Sequence, residues 1–142
     1  MGLNSALVEE FKSNMMGTFE MTDLGLLQYF MGLEIFQDED GVFIFQKKYV
    51  TNLLKKFNMS NCKMMATPMN KNQKLKQQGV EAANQRQFRS LVGGLIYLIH
   101  TRPDISFSIG VVSRFMSNQS KQHYGGAKRI LRYIAGILNY GM

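Results

Sequence analysis

Residues Phe88 to Ile105 read Phe-Arg-Ser-Leu-Val-Gly-Gly-Leu-Ile-Tyr-Leu-Ile-His-Thr-Arg-Pro-Asp-Ile. The pattern is a helix with two glycines in its middle, a short loop, and a second helix opened by Pro103, a favoured first helical position. Glycine costs about 1 kcal/mol relative to alanine inside a helix, so Gly93 and Gly94 imply a close approach to this backbone, by another helix or by a ligand. The first helix is expected from about Asn84 to His100. The second carries Ile105, Ile109, Val112 and Met116 on one stripe, and Ser117-Asn118-Gln119-Ser120 breaks it. A third places Tyr124, Ala127, Leu131, Ile134 and Leu138 at three-four spacing, with Gly136 as its end and Lys121, Lys128 and Arg132 on the other face. A three-helix bundle buries these stripes.

Upstream the pattern differs. Asn4 suits an N-cap, with Leu3, Leu7, Phe11 and Met15 one turn apart and Gly17 as a stop. After the turn signal Thr22-Asp23-Leu24-Gly25, apolar residues alternate from Leu27 to Ile35, the period of a strand. Asp40-Gly41 suits a type I′ turn leading into a partner strand over Val42 to Gln46. Gly32 inside the first strand calls for a bulge or an approaching backbone. Lys47 to Phe57 is an amphipathic helix with Val50, Leu53, Leu54 and Phe57 inward. The fold class is therefore α+β: residues 1–60 form a hairpin-containing part, 61–83 a polar connector, and 84–142 a helical subdomain.

At 142 residues and 45% hydrophobic content the chain buries a core without disulfide support. Cys62 is the sole cysteine, which excludes a disulfide framework and points to an intracellular location, cytoplasmic or nuclear. The longest apolar run, Leu95 to Ile99, is far too short to span a bilayer, and the first residues lack the features of a signal peptide. The net charge of +7 is uneven. Residues 1–85 balance nine lysines against nine acids, whereas beyond them eight cations face Asp104 alone. One-sided basicity fits a polyanion, most simply nucleic acid, or a solvated face kept for solubility.

Reactive chemistry is sparse. His100 and His123 sit at a helix end and a helix start with no cysteine or paired acid nearby, so metal ligation lacks partners. Glu9 and Glu10 point about 100° apart on their helix and read as a solvated face. Asp38, Glu39 and Asp40 read as an exposed turn, and Asp23 and Asp104 are too scattered to build a two-carboxylate metal site. The residues describe a basic binding surface without a visible reactive centre.

Several blocks, in order along nearly the whole chain, resemble the copia-type reverse transcriptases of long-terminal-repeat retrotransposons. They are Phe19-Glu-Met-Thr-Asp-Leu-Gly25, Tyr29-Phe-Met-Gly-Leu-Glu-Ile35, Gln46-Lys-Lys-Tyr49, Ala66-Thr-Pro-Met69, Phe88-Arg-Ser-Leu-Val-Gly93, Thr101-Arg-Pro-Asp-Ile105, Ser113-Arg-Phe-Met-Ser117 and Ala127-Lys-Arg-Ile-Leu-Arg-Tyr133. The resemblance implies the end of a polymerase palm over residues 1–60 and a thumb over 84–142. The family's Tyr-x-Asp-Asp hairpin, whose carboxylates hold two metal ions, is not in this sequence. No cofactor is therefore expected in this chain, Mg2+ belonging to the complete polymerase.

The resemblance further implies a primer grip at Phe30, Met31 and Gly32, and a thumb helix that follows the template–primer minor groove. On that helix Arg89, Gly93 and Tyr97 are spaced four apart, which offers a cation for phosphate, a small residue for close approach and a flat ring for sugar. Lys128 and Arg132 add phosphate contacts, and Gly94 reads as a packing contact between helices. The expected partners are a template–primer duplex and the rest of a Pol polyprotein, with no membrane. The expected function is template–primer binding by part of an RNA-directed DNA polymerase, inactive alone. The alternatives are a non-catalytic nucleic-acid-binding module and an inert remnant of a transposable element. Gly125 and Gly126, where relatives carry larger helix formers, depart from the family pattern and weaken the third helix by about 1–2 kcal/mol.

Overall fold

A computed structural model describes residues 4–70, 75 and 83–139. Among them are five α-helices and one three-stranded antiparallel sheet of order β1-β2-β3, an α+β fold. Leu3 and most of the expected connector, residues 71–74 and 76–82, lie outside the described residues.

Helix α1 spans Ser5–Thr18, and the Asn4 side chain accepts the Ala6 N–H at its start. It runs through Gly17 and ends at Phe19, so the expected glycine stop is not used. No residue of α1 is buried, and Leu7 and Phe11 are more than half exposed. Lys12 reaches Asp23 at 2.8 Å, and the Asp23 carboxylate also accepts the Gly25 N–H, which closes the turn signalled in the sequence.

The alternating stretch is two strands and not one. β1 (Tyr29–Phe30) turns at Met31 and Gly32 into β2 (Leu33–Asp38). Met31 has φ 47° and Gly32 φ 82°, the double left-handed pattern of a type I′ hairpin, whose twist suits adjoining strands. Phe30 pairs with Leu33 and Tyr29 with Glu34. Paired residues share a face, so the odd–even alternation of the sequence changes sides at the turn. The second loop also shifts. Asp38 pairs with Gly41, which leaves Glu39 and Asp40 as the loop and starts β3 at Gly41–Phe45. Neither loop residue has positive φ, so this turn is not type I′.

Helix α2 (Lys47–Lys56) buries Val50, Leu53 and Leu54, as its pattern requires. α3 (Gln85–Leu98) begins at Asn84, whose side chain accepts the Gln87 N–H, and buries Phe88, Leu91, Val92, Leu95 and Leu98. A 3-10 turn over Pro103–Ile105 leads into α4 (Ser106–Ser113). α5 (Lys121–Ala135) is opened by Ser120 in a capping box with His123. These four helices share one core. Fully burying a Leu, Ile or Phe stabilises by about 1.5–3 kcal/mol relative to exposure, and Phe88, Leu91, Leu95, Ile105, Ile130 and Leu131 each show no more than 1% exposure.

Two polar knots fix the bundle. Arg102, nearly buried, grips Asp104 through Nε at 2.9 Å and Nη2 at 2.7 Å, and its Nη1 donates to the Ile137 carbonyl. The Tyr133 hydroxyl donates to the same carboxylate at 2.9 Å. The Arg-Pro-Asp run thus ties the start of α4 to the end of α5. At the other knot His123, at the helix start as its sequence position implies, is buried: its Nδ1 accepts the Ser120 N–H at 2.9 Å, and its ring stacks on Phe115 with centroids 3.9 Å apart.

Candidate nucleic-acid interface

The exposed strip of α3 follows from its buried one. Its five core residues occupy one side at three-four spacing, so Arg86, Ser90, Gly93 and Tyr97 fall on the opposite side, over about 16 Å of helix. At the C-terminal end of this strip the Tyr97 hydroxyl donates to the Met31 carbonyl. A Cβ on Gly32 would lie 3.3 Å from that hydroxyl, so the turn glycine is fixed both by its φ and by this approach. Tyr49 leans on Tyr97 with ring centroids 4.9 Å apart, and its hydroxyl donates to the Gly94 carbonyl at 3.2 Å. Burial, followed by the neighbouring Tyr97, pushes the Tyr49 phenol above its ordinary pKa and keeps it a donor.

The two glycines have different surroundings. A Cβ on Gly94 would lie 2.7 Å from Leu53 Cδ1, so the missing side chain makes room for α2 there. Gly93 is exposed, with nothing within 4 Å of an added Cβ. Phe30 and Met31 are exposed at 53% and 73% and flank the turn. Met31 and Gly32 therefore meet Tyr97 near the C-terminal end of α3, with Phe30 beside the turn and Gly93 one turn back along the helix. Arg89 is turned aside from them: exposed, it donates from Nε to the Met116 carbonyl at 3.1 Å.

Lys128 and Arg132 sit elsewhere, on a groove of about 640 Å3 between the end of α2, the start of α3 and α5. Two further cations line it, Lys56 and Arg86, and no acidic residue does. Among the described residues none of the four forms an ion pair. Lys128 lies 4.5 Å above the Tyr124 ring, and Lys56 lies 5.7 Å from the Phe57 ring centroid. Sequence reasoning missed Lys56 and Arg86 because the groove joins three elements far apart in the chain. The available signal was their position: Arg86 lies one turn before Ser90 on the exposed strip, and Lys56 ends α2.

Among the described residues no three His, Cys, Asp or Glu side chains gather as a metal site. Asp23 and Asp104 are engaged by Lys12 and Arg102. These residues do not fit a two-metal polymerase centre, and no step through metal follows from them. No helix among the described residues is long and apolar enough to cross a membrane.

Comparison with known proteins gives the class to which this arrangement belongs. Residues 1–71 match the family model described as reverse transcriptase (RNA-dependent DNA polymerase). The retrovirus-related Pol polyprotein from transposon RE1 of Arabidopsis thaliana is 35% identical over 142 residues, 99% of this chain and 10% of that polyprotein. The corresponding polyprotein from transposon TNT 1-94 of Nicotiana tabacum is 35% identical over 145 residues, 95% of this chain and 11% of its own length. An uncharacterized mitochondrial protein of Arabidopsis thaliana is 33% identical over 141 residues, 99% of this chain and 59% of its own. No solved structure matches. The chain belongs to the reverse transcriptase family, in its retrotransposon branch of copia-type Pol polyproteins. It spans about a tenth of the length of the transposon polyproteins it matches.

Proposed function

We propose that the chain contributes template–primer binding, and not catalysis, to a copia-type RNA-directed DNA polymerase. On this reading residues 1–60 are the end of a palm, with the Met31–Gly32 hairpin as primer grip, and residues 84–142 are a thumb. The observation that carries it is the bond from Tyr97 to the Met31 carbonyl. It ties the candidate grip to the helix that carries the open Gly93, so both contact one duplex in a fixed relation. Gly93 lets a sugar–phosphate backbone approach, while Phe30 and Met31 meet the primer end. Lys128 and Arg132 add positive field.

The partners proposed are an RNA–DNA duplex and the remainder of a Pol polyprotein, which would supply the carboxylates and Mg2+. The exposed Leu7, Phe11, Leu24 and Leu26 form apolar surface that such a remainder would cover.

Two measurements test the reading. Affinity for a blunt RNA–DNA hybrid should fall steeply with salt, because phosphate contacts release counterions. Primer extension with magnesium and four nucleotides should show no synthesis. No hybrid binding at low salt would favour the inert-remnant alternative, and incorporation above background would overturn the non-catalytic assignment.

A further inference from the structure

The basic groove does not match the needs of a duplex. A paired helix keeps the faces of its bases stacked inside, so it cannot insert a base into a recess of this size. Here the cations Lys56, Arg86, Lys128 and Arg132 line a recess together with buried Met59. Its volume of about 640 Å3 lies in the range of sites for small organic ligands, about 300–1,000 Å3.

Polar groups also line it. The Gln87 amide and the Ser90 and Tyr124 hydroxyls form no side-chain hydrogen bond among the described residues, and so remain available to a ligand. Burial raises the Tyr124 phenol above its ordinary pKa, which keeps its proton. Lys128 is held over the Tyr124 ring, so this cation is already placed at the rim. Phosphate on the cations, hydrogen bonds to a base edge or ribose, and apolar contact beneath the ring are the three demands of a nucleotide whose base is unpaired.

We propose that this groove, at the start of α3, binds an unpaired nucleotide of a single-stranded nucleic acid, apart from the Gly93–Tyr97 end of the helix assigned to a duplex. The assignment goes beyond the template–primer reading and stands without it. The test uses the full chain and two fluorescent probes, a twelve-nucleotide oligo-dT strand and a blunt RNA–DNA hybrid, in anisotropy titrations at low salt. The double variant Lys56→Ala/Gln87→Ala changes two exposed groove residues that have no part in the duplex reading; it should weaken oligo-dT binding by about tenfold and leave hybrid binding within about twofold. Tyr124→Phe removes a hydroxyl and no charge; it should weaken oligo-dT binding about threefold and leave the hybrid unchanged. It keeps the proposal testable should the double variant lose its circular dichroism. Absence of oligo-dT binding by the parent chain, or equal losses on both probes, would overturn the proposal. Loss confined to oligo-dT supports it, even if the parent chain fails to bind the hybrid and the duplex reading falls.

Discussion

The hydroxyl of Tyr97 donates to the carbonyl of Met31, across 66 positions of sequence. This bond joins the tip of the β1–β2 hairpin to the last turn of α3. Tyr49 supports it from α2, packing on the Tyr97 ring and donating to the Gly94 carbonyl. Three elements from both halves of the chain thus meet at two phenols.

Replacing Tyr97 by Phe removes the bond and keeps the ring against Tyr49. The expected cost is about 0.5–1.5 kcal/mol, concentrated in the hairpin because the helical core is untouched. Amide hydrogen exchange across the Tyr29–Glu34 pair should speed up by about threefold to tenfold, with the α3–α5 amides unchanged. Unchanged exchange in the hairpin would mean that the turn holds itself.

The adjacent glycines should respond oppositely to alanine. Gly93→Ala meets open space, so it should gain most of the helix-propensity difference, about 0.5–1 kcal/mol. Gly94→Ala places a methyl 2.7 Å from a terminal carbon of buried Leu53, so the helix gain is offset by overpacking of about 1–3 kcal/mol. Urea melts should rank Gly93→Ala the more stable by that margin. On the template–primer reading the same Gly93→Ala protein binds hybrid more weakly than the parent. Greater stability with undiminished binding would remove Gly93 from the contact surface.

The helices were legible because apolar spacing and caps coincide: Asn84, Ser120 and Pro103 stand where α3, α5 and the 3-10 turn begin. The hairpin at Met31 was not, because a two-residue loop leaves the period-two pattern of the sequence uninterrupted while reversing the chain. Only Gly32 hinted at it, and Met31 supplies a left-handed position that few non-glycine residues adopt. The stripe on α1 did predict a helix, but a stripe cannot say what covers it, and none of its residues is buried. Of the candidate site, the grouping of Met31 with Tyr97 and the basic groove both depend on tertiary packing, which spacing along one element does not encode.

Asp104 gives the acid side of stability a specific source. Hydrogen bonds from Arg102, then from Tyr133, hold its carboxyl below the usual carboxylate range despite partial burial. Its folded pKa is depressed, so its contribution is fully present above about pH 4, the ordinary value. It is lost as pH falls through the lower folded value. Asp104→Asn should cost about 1–3 kcal/mol at neutral pH, since Arg102 is left nearly buried without its carboxylate. It should also flatten the fall in melting temperature below pH 4. An unchanged acid slope would place the titration on other carboxylates.

Arg89 separates structural from electrostatic work within one side chain. Its Nε holds the Met116 carbonyl, beyond the end of α4, while a guanidinium carries five donors, so the remainder of the fork stays available to a phosphate. Arg89→Ala should therefore cost about 1 kcal/mol of stability and reduce the salt-dependence slope of hybrid binding by about 1. Arg89→Lys keeps the charge and loses the planar fork. It should restore the slope while recovering little of the stability, because an ammonium cannot reproduce the fork at both partners. Melting curves and titrations at three salt concentrations measure the two effects independently. If Arg89→Ala lowers stability with the slope intact, the residue is a clasp between α3 and the end of α4 and contributes nothing to the nucleic-acid surface.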